Sequence, residues 1–379
     1  MSEWKLKDCC LSISDGDHLP PPKSDCGIPF ITISNIDSTN HIDFSNTLFV
    51  PKEYYDNLDS IRKAQPDDII YSVVGSFGKP VLIKENKKFV FQRHIAILRP
   101  NNEIVDSRYL YYIMLSRNFY MQADSVAVGA AQRTISLTSL RNMKINLPEL
   151  SIQQRIASIL SRYDSLIENY QKQIKLLEES AQRLYKEWFI DLRFPGYENT
   201  KIVDGVPEGW KKKALGEITP VKTGKKDANF GTVNGEYPFF TCAQEPIKSP
   251  SYSFDTSAVI LAGNGDFNVK LYRGKFEAYQ RTYVLEPNDT NMLYLLFFCI
   301  SENMNRLVTG ASGSTIKFLT KGMIESLDLY EPTNATLCAF NKIIEPIQGQ
   351  KENLLTQVRH LTEARDRLLP KLMSGEIEV

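Results

Sequence analysis

The sequence predicts an α+β protein in which two similar mixed α/β domains are separated by two long antiparallel helices forming a coiled-coil-like spacer, a pseudo-twofold internal duplication. Three observations predict it. The stretch GAAQRTISL, residues 129–137, returns as GASGSTIKF, residues 310–318, after 181 positions (310 − 129). Further pairs follow in the same order along the chain: Trp4 with Trp210, Gly16 with Gly224, Gln92-Arg93 of FQRHIAILRP with Gln280-Arg281 of YQRTYVLEP, YLYYIMLS (109–116) with YLLFFCIS (294–301), Pro148 with Pro332, and Glu168-Asn169 with Glu352-Asn353. Echoes that keep their order are the mark of a repeated unit. Finally, each copy ends in a long segment of helical period.

Residues 1–148 form the first domain. Short apolar runs such as DIIYSVVG (68–75), punctuated by Gly, Pro, Asn and Asp, read as strands and turns. Residues 149–192 form the first helical segment. Ile152, Ile156, Ile159, Tyr163, Ile167, Tyr170, Ile174, Leu177, Ala181, Leu184 and Trp188 step by three or four, giving one apolar stripe between Pro148 and Pro195-Gly196. At 1.5 Å per residue, about 38 residues make a rod of roughly 55–60 Å.

Residues 193–332 repeat the strand-and-turn pattern, with SAVILAG (257–263) as the counterpart run, and 333–379 form the second helical segment. Its stripe holds Phe340, Ile343, Ile347, Leu354, Leu355, Val358, Leu361 and Leu368. Pro346 and Gly349 are expected to kink or break it, leaving a longer helix from about residue 351 to 369. Neither stripe tolerates water, and burial against each other is the simplest arrangement. Ile156, Tyr163, Tyr170, Leu177 and Leu184 on the first helix, and Phe340, Ile347, Leu354, Leu361 and Leu368 on the second, are the candidate partner-binding residues.

Composition narrows the function. The chain has 379 residues, 45 Lys+Arg against 45 Asp+Glu, and no apolar run near the roughly 20 residues a membrane span needs. The start, MSEWKLKDCC, has no signal-peptide core, so a cytoplasmic protein is expected. The six cysteines, Cys9, Cys10, Cys26, Cys242, Cys299 and Cys338, have neither metal-ligand nor disulfide spacing. Zero net charge argues against indiscriminate nucleic-acid binding and leaves room for a local basic face.

Enzyme signatures are missing from the sequence. GSFGKP (75–80) lacks the spacing and hydroxyl of a phosphate loop, and there is no HExxH, GxSxG or Asn-Pro-Pro-aromatic motif. His18, His41, His94 and His360 are scattered. Asp67-Asp68 with Lys84 or Lys87 is a faint nuclease-like pairing, but acids ahead of a strand more often mark a turn. No catalytic residue, metal site or cofactor is expected in this chain.

Binding chemistry is better represented. Gly75, Ser76 and Lys79 in GSFGK, and Asn264 in GNGD (263–266), lie in glycine loops that open at matching positions after an apolar strand, Gly75 against Gly263, where backbone amides can approach a phosphate, although a plain tight turn uses the same residues. Gln92-Arg93 and Gln280-Arg281 place an amide beside a guanidinium, the side chains that bond adenine and guanine edges; a structural salt bridge is the competing use. Gln132, Arg133 and Thr134, with Ser312, Ser314 and Thr315, offer small polar groups suited to a groove. Lys222, Lys225 and Lys226 belong to a run of six lysines between 211 and 226 opposed by Glu217 alone, a basic patch or else a solvated face. Two readers on a spacer would sit on the order of one to two helical turns of DNA apart, a turn being about 34–36 Å.

At this point the chain resembles the specificity subunit of type I restriction-modification systems. The carrying motifs are LTEARDRLLPKLMSGEIEV (361–379) above all, then SISDGDHLPPPKSDCGIPFITISNI, LPELSIQQRIASIL, WFIDLRFPGYE and PEGWKKKALGEI. The resemblance covers essentially the whole chain. It implies two target recognition domains, each reading half of a bipartite double-stranded DNA target. It also implies helices that set the gap and dock two modification subunits holding S-adenosylmethionine, which restriction subunits then join. Because GASGST stands against GAAQRT, Gln132-Arg133 is expected to have no counterpart in the second domain. A structural or protein-binding adaptor built on a two-helix rod is the competing function.

Overall fold

In the computed structural model, the described residues are 2–379 except Asp17, Leu19, Pro20, Ser38, Ala131, Ser314, Thr315 and Ile316. The chain divides into two compact units, Met1–Asn169 with Gln357–Val379, and Tyr170–Thr356. Each unit therefore contains one mixed α/β domain and one part of each long helix.

In the first unit, Cys10–Asp15, Ile95–Pro100, Ile69–Ser72 and Pro80–Leu82 form a four-stranded sheet in that order. Leu48–Val50, Ile28–Ile31 and Val90–Phe91 form a three-stranded one, the last two strands running parallel. The second unit repeats the plan with one change. A single long strand, Val269–Ala278, pairs antiparallel with Phe254–Ala262 from Val269 to Phe276 and in parallel with Tyr237–Phe240 at Glu277 and Ala278, fusing the two sheets into one of six strands. In the first unit the polar stretch Lys84–Lys88 interrupts the equivalent path. In both units the strand before the domain pairs antiparallel with the strand leading into the long helix: Ser2–Lys5 with Lys144–Leu147, and Lys211–Ala214 with Asp328–Glu331.

The backbone hydrogen bonds fix how the copies correspond, and they correct four of the sequence matches. Gln92 N bonds Ile31 O and Ile95 N bonds Gln92 O; in the second unit Tyr279 N bonds Phe240 O and Thr282 N bonds Tyr279 O. Gln92 therefore corresponds to Tyr279, Arg93 to Gln280 and His94 to Arg281, one residue away from the Gln-Arg on Gln-Arg match. Val128 and Ser312 bridge Thr134 and Phe318 respectively, so Gly129 corresponds to Gly313, not Gly310. Their φ angles agree, +110° and +107°, whereas Gly310 ends the helix Met304–Gly310. Gly75 corresponds to Gly265 rather than Gly263, both at φ +67°. Trp4 matches Lys213 in strand register, and Trp210 instead packs on Phe194 and Phe189.

The match of Gly16 with Gly224 stands. A Cβ on Gly16 would lie 2.5 Å from the carbonyl oxygens of Phe91 and Gln92, and one on Gly224 would lie 2.0 Å from that of Ala278. In each copy the first sheet strand runs against the turn before its neighbour so closely that only hydrogen fits.

The first long helix spans Leu150–Tyr185 and closes with a π-helical turn, Lys186–Ile190. The second spans Asn334–Ser374 without interruption, which corrects the expected break at Pro346 and Gly349. A proline removes one amide donor, but Pro346 faces solvent while Phe340, Ile344, Gln348 and Leu354 around it are buried, and their packing holds the helix together. The helices are antiparallel within each unit. Asp164 receives Arg365 at 2.7 Å in the first, and Glu178 receives Lys351 at 3.1 Å in the second, where Phe189 also packs edge-on against Phe340 at 4.8 Å.

Candidate nucleic-acid interface

The fold gathers the predicted loops into one cluster per unit. In the first, the loop after strand Ile69–Ser72 meets the loop at 128–134: Gly75 N donates to Arg133 O at 2.9 Å, Val74 bridges Thr134, and Gln132 lies beside Gly75. The turn at 92–94 adjoins them, because Val73 N donates to His94 O at 3.0 Å. The second unit makes the same junction. Gly263 N donates to Arg281 O at 2.8 Å, Leu319 N to Gly263 O at 2.7 Å, and Asn264 and Ser312 both bridge Phe318. Positive φ at Gly75, Gly129, Gly265 and Gly313 lets these chains turn back on each other, a conformation that side chains resist.

The candidate side chains fall into free and engaged groups. Arg93, Arg281 and Lys225 are exposed, with no hydrogen bond or ion pair among the described residues. Arg93 acts on its neighbour: burial first, then that guanidinium, lowers the pKa of His94. Gln280 is engaged, donating to Asp227 Oδ1 at 2.7 Å, and Lys226 lies over the Phe230 ring at 4.3 Å. Lys222 pairs with Glu286 at 2.9 Å, and Lys212 and Lys213 pair with Asp328 and Glu331, so half of the lysine run is neutralised locally. Lys79 Nζ is spent on Ile36 O at 3.2 Å, and the carbonyl of Ser76 receives Ser72 Oγ at 3.0 Å. Asn264 Oδ1 receives the Cys242 thiol at 2.8 Å. Arg133 pairs with Asp124. Ser314 and Thr315 lie outside the described residues.

Four features do not follow from the sequence reading, one of them at Lys84, named there only for the nuclease-like pairing. Lys317, exposed and unpaired among the described residues, corresponds to Arg133 and supplies the cationic counterpart that the GASGST match denied. Matching glycines by conformation would have found it. Phe77 stacks on Tyr120 at 5.8 Å and 13° beside the first cluster. Lys84 pairs with Glu168 of the first long helix, and the corresponding Arg273 pairs with Glu345 of the second at 3.6 Å while donating to Tyr294 at 2.6 Å. Each domain is thus tied to its helix by a cation at an equivalent place, just past the strand Pro80–Leu82 in the first unit and within Val269–Ala278 in the second.

The faint nuclease-like pairing does not form. Asp68 is 2% exposed and held by Arg99 through Nε at 3.0 Å and Nη2 at 2.9 Å, while Lys84 is on Glu168. Among the described residues no group of His, Cys, Asp and Glu has metal-holding geometry. The candidate partner-binding residues mostly serve the chain's own interior. Ile156, Phe340 and Leu354 are buried, and Tyr163, Tyr170, Leu177, Leu184, Ile347, Leu361 and Leu368 are half-buried. Sequence period finds the seam between helices, and the large apolar groups left exposed on them among the described residues are Leu166, Leu176, Ile190, Ile343 and Leu355.

A family model described as type I restriction modification DNA specificity domain matches residues 4–179 and again 207–351, once per copy. The chain is 41% identical over 178 residues to the EcoDI specificity subunit of Escherichia coli, a match spanning 45% of this chain and 39% of that relative. It is 24% identical to the putative MjaX specificity subunit of Methanocaldococcus jannaschii across all of this chain and 94% of the relative, and 22% identical to the HindI specificity subunit of Haemophilus influenzae across the whole of both. The fold is similar to that of the S subunit of a type I restriction-modification system from M. genitalium, with TM-score 0.61 and 17% identity over 98% of this chain and 95% of that one.

Proposed function

Since the chain belongs to the family of type I restriction-modification DNA specificity domains, we propose that it is the DNA-reading, non-catalytic subunit of such a complex, each unit recognising one half of a bipartite double-stranded target. The observation that carries this reading is the repeated junction of two glycine loops and a turn bearing an exposed arginine, Arg93 in one unit and Arg281 in the other. A guanidinium free of internal partners can bond a guanine edge or a phosphate. The differing neighbours of the two arginines favour different half-sites.

In this reading catalysis lies in partner subunits. Two modification subunits would dock on the helices, hold S-adenosylmethionine and methylate adenine, and restriction subunits would join them. The basic groups are few and local, so strong binding would depend on the assembled complex. No described helix is long and apolar enough to cross a membrane, and the proposed setting is the cytoplasm, with the DNA.

The test is a map of DNA methylation in cells carrying this gene with its neighbouring modification genes and in cells lacking this gene alone. The reading expects a split motif that disappears on deletion. An unchanged map, with the modification subunits expressed and active, would overturn it in favour of a protein-binding adaptor.

A further inference from the structure

Building on the DNA-reading assignment above, we propose that Asp124 is a positioning residue that withholds Arg133 from DNA, so that the second loop of the first unit makes no cationic phosphate contact while the matching loop of the second unit makes one through Lys317. The guanidinium of Arg133 is engaged inside the unit, with its side chain 40% exposed. Nη1 pairs with the Asp124 carboxylate, Nη2 bonds the Asp124 and Ala127 carbonyls, and the guanidinium carbon lies 5.4 Å from the Phe77 ring centre. Phe77 in turn stacks on Tyr120, on the same helix as Asp124, Arg117–Val126.

A single exposed ion pair is worth little. This side chain, however, is held by a carboxylate, two carbonyls and a ring at once, and the adjacent carboxylate cancels its charge as seen by a phosphate several ångströms away. The arrangement braces the 128–134 loop against the helix.

The second unit lacks the brace. With a constant offset of 184 from Gly129 to Gly313 (313 − 129), Asp124 corresponds to Val308 and Tyr120 to Met304. Neither can hold a cation, and Lys317 is exposed with no partner among the described residues. A lysine is a compact point charge on a long stem, which suits phosphate contact without base selection.

The experiment uses the full chain reconstituted with its modification subunits and measures DNA affinity against salt, on a duplex carrying the target and on one without it. Each phosphate neutralised contributes about 0.9 to the slope of log affinity on log salt. Lys317→Gln is expected to lower that slope by about one, Arg133→Gln to leave it unchanged, and Asp124→Asn to raise it by about one. Adding Arg133→Gln to Asp124→Asn should abolish the rise. The proposal is overturned by a slope that falls with Arg133→Gln, one indifferent to Lys317→Gln, or a rise that persists in the double variant. Failure of the wild-type complex to select its target at all would instead defeat the DNA-reading assignment, so the two failures are distinguishable.

Discussion

In the first unit Arg99 reaches across its sheet to the buried carboxylate of Asp68; at the corresponding places in the second unit stand Glu286 and Ala258, and Glu286 accepts from Thr256 at 2.6 Å and Lys222 at 2.9 Å. The sign of the charge on one strand is reversed while the strand pairing around it is the same. The pins to the long helices keep their polarity and differ in the third partner, Lys84 with Glu168 and His41 in one unit, Arg273 with Glu345 and Tyr294 in the other. Backbone junctions and left-handed glycines have survived duplication, and side-chain chemistry has been re-solved locally in each copy. A scaffold kept fixed while its surface chemistry varies is what reading two different half-sites requires.

The largest expected effect comes from breaking the buried pair in one copy. Asp68→Ala would take the carboxylate from Arg99, leaving it the Lys63 carbonyl at 3.0 Å, and cost about 3 kcal/mol. Urea unfolding with hydrogen exchange should show the first unit opening early and the second unaffected; uniform loss of protection would mean the units do not fold separately.

Next comes the arginine in each cluster. Arg93→Ala and Arg281→Ala should each remove about 1–3 kcal/mol of base discrimination, measured by competition between duplexes altered in one half-site, and each should act on a different half. Equal weakening on every sequence would reassign that arginine to phosphate contact.

A third contrast is in pH. Glu168 is lowered to about 2, first by its hydrogen bond to His41 and then by Lys84, and His41 is raised, mainly by that same bond. A lowered carboxylate stabilises above its unfolded value near 4.5 and loses that contribution as pH falls towards 2; a raised histidine stabilises below about 6.5 and loses it as pH climbs through its folded value. The first unit's pin is therefore fully formed between about pH 4.5 and 6.5 and weakens above. The second unit's pin, Arg273 with Glu345 and Tyr294, holds no histidine. Local protection around His41, taken as exchange rates corrected for the intrinsic pH dependence of amide exchange, should fall from pH 6 to 9 in the first unit, and His41→Asn should flatten that profile; parallel profiles in wild type and variant would refute the pin.

The smallest effect is expected at Glu286→Gln. Its ion pair with Lys222 is more than a third exposed, so the loss should be below about 1 kcal/mol, read from the urea midpoint of the second unit. A loss rivalling that of Asp68→Ala would erase the contrast between the copies.

Much of this fold was legible in the sequence, and the misreadings share a cause. The helical stripes and the order of repeats follow from period and composition, which packing enforces over many residues. The register of the loops does not, because a letter match cannot say which glycine takes positive φ. Gly310-Ala311 looks like Gly129-Ala130, yet Gly310 closes a helix and Gly313 makes the turn. Nor can sequence say which cations are already spent. Arg133 reads as a polar group suited to a groove and Lys222 as part of a basic patch or a solvated face, and both have acids brought to them by distant or structured neighbours, Asp124 and Glu286. Pro346 misled through local propensity, which the buried face of a long helix overrides.

The central claim is that each unit reads its own half of one DNA target. Its most direct test is adenine methylation mapped genome-wide in cells whose only copy of this gene carries Arg93→Ala, Arg281→Ala, or neither change. The account predicts a split motif in the wild type, relaxed in one half by the first substitution and in the other half by the second. Relaxation of the same half by both, or loss of methylation without any change in motif, would contradict it.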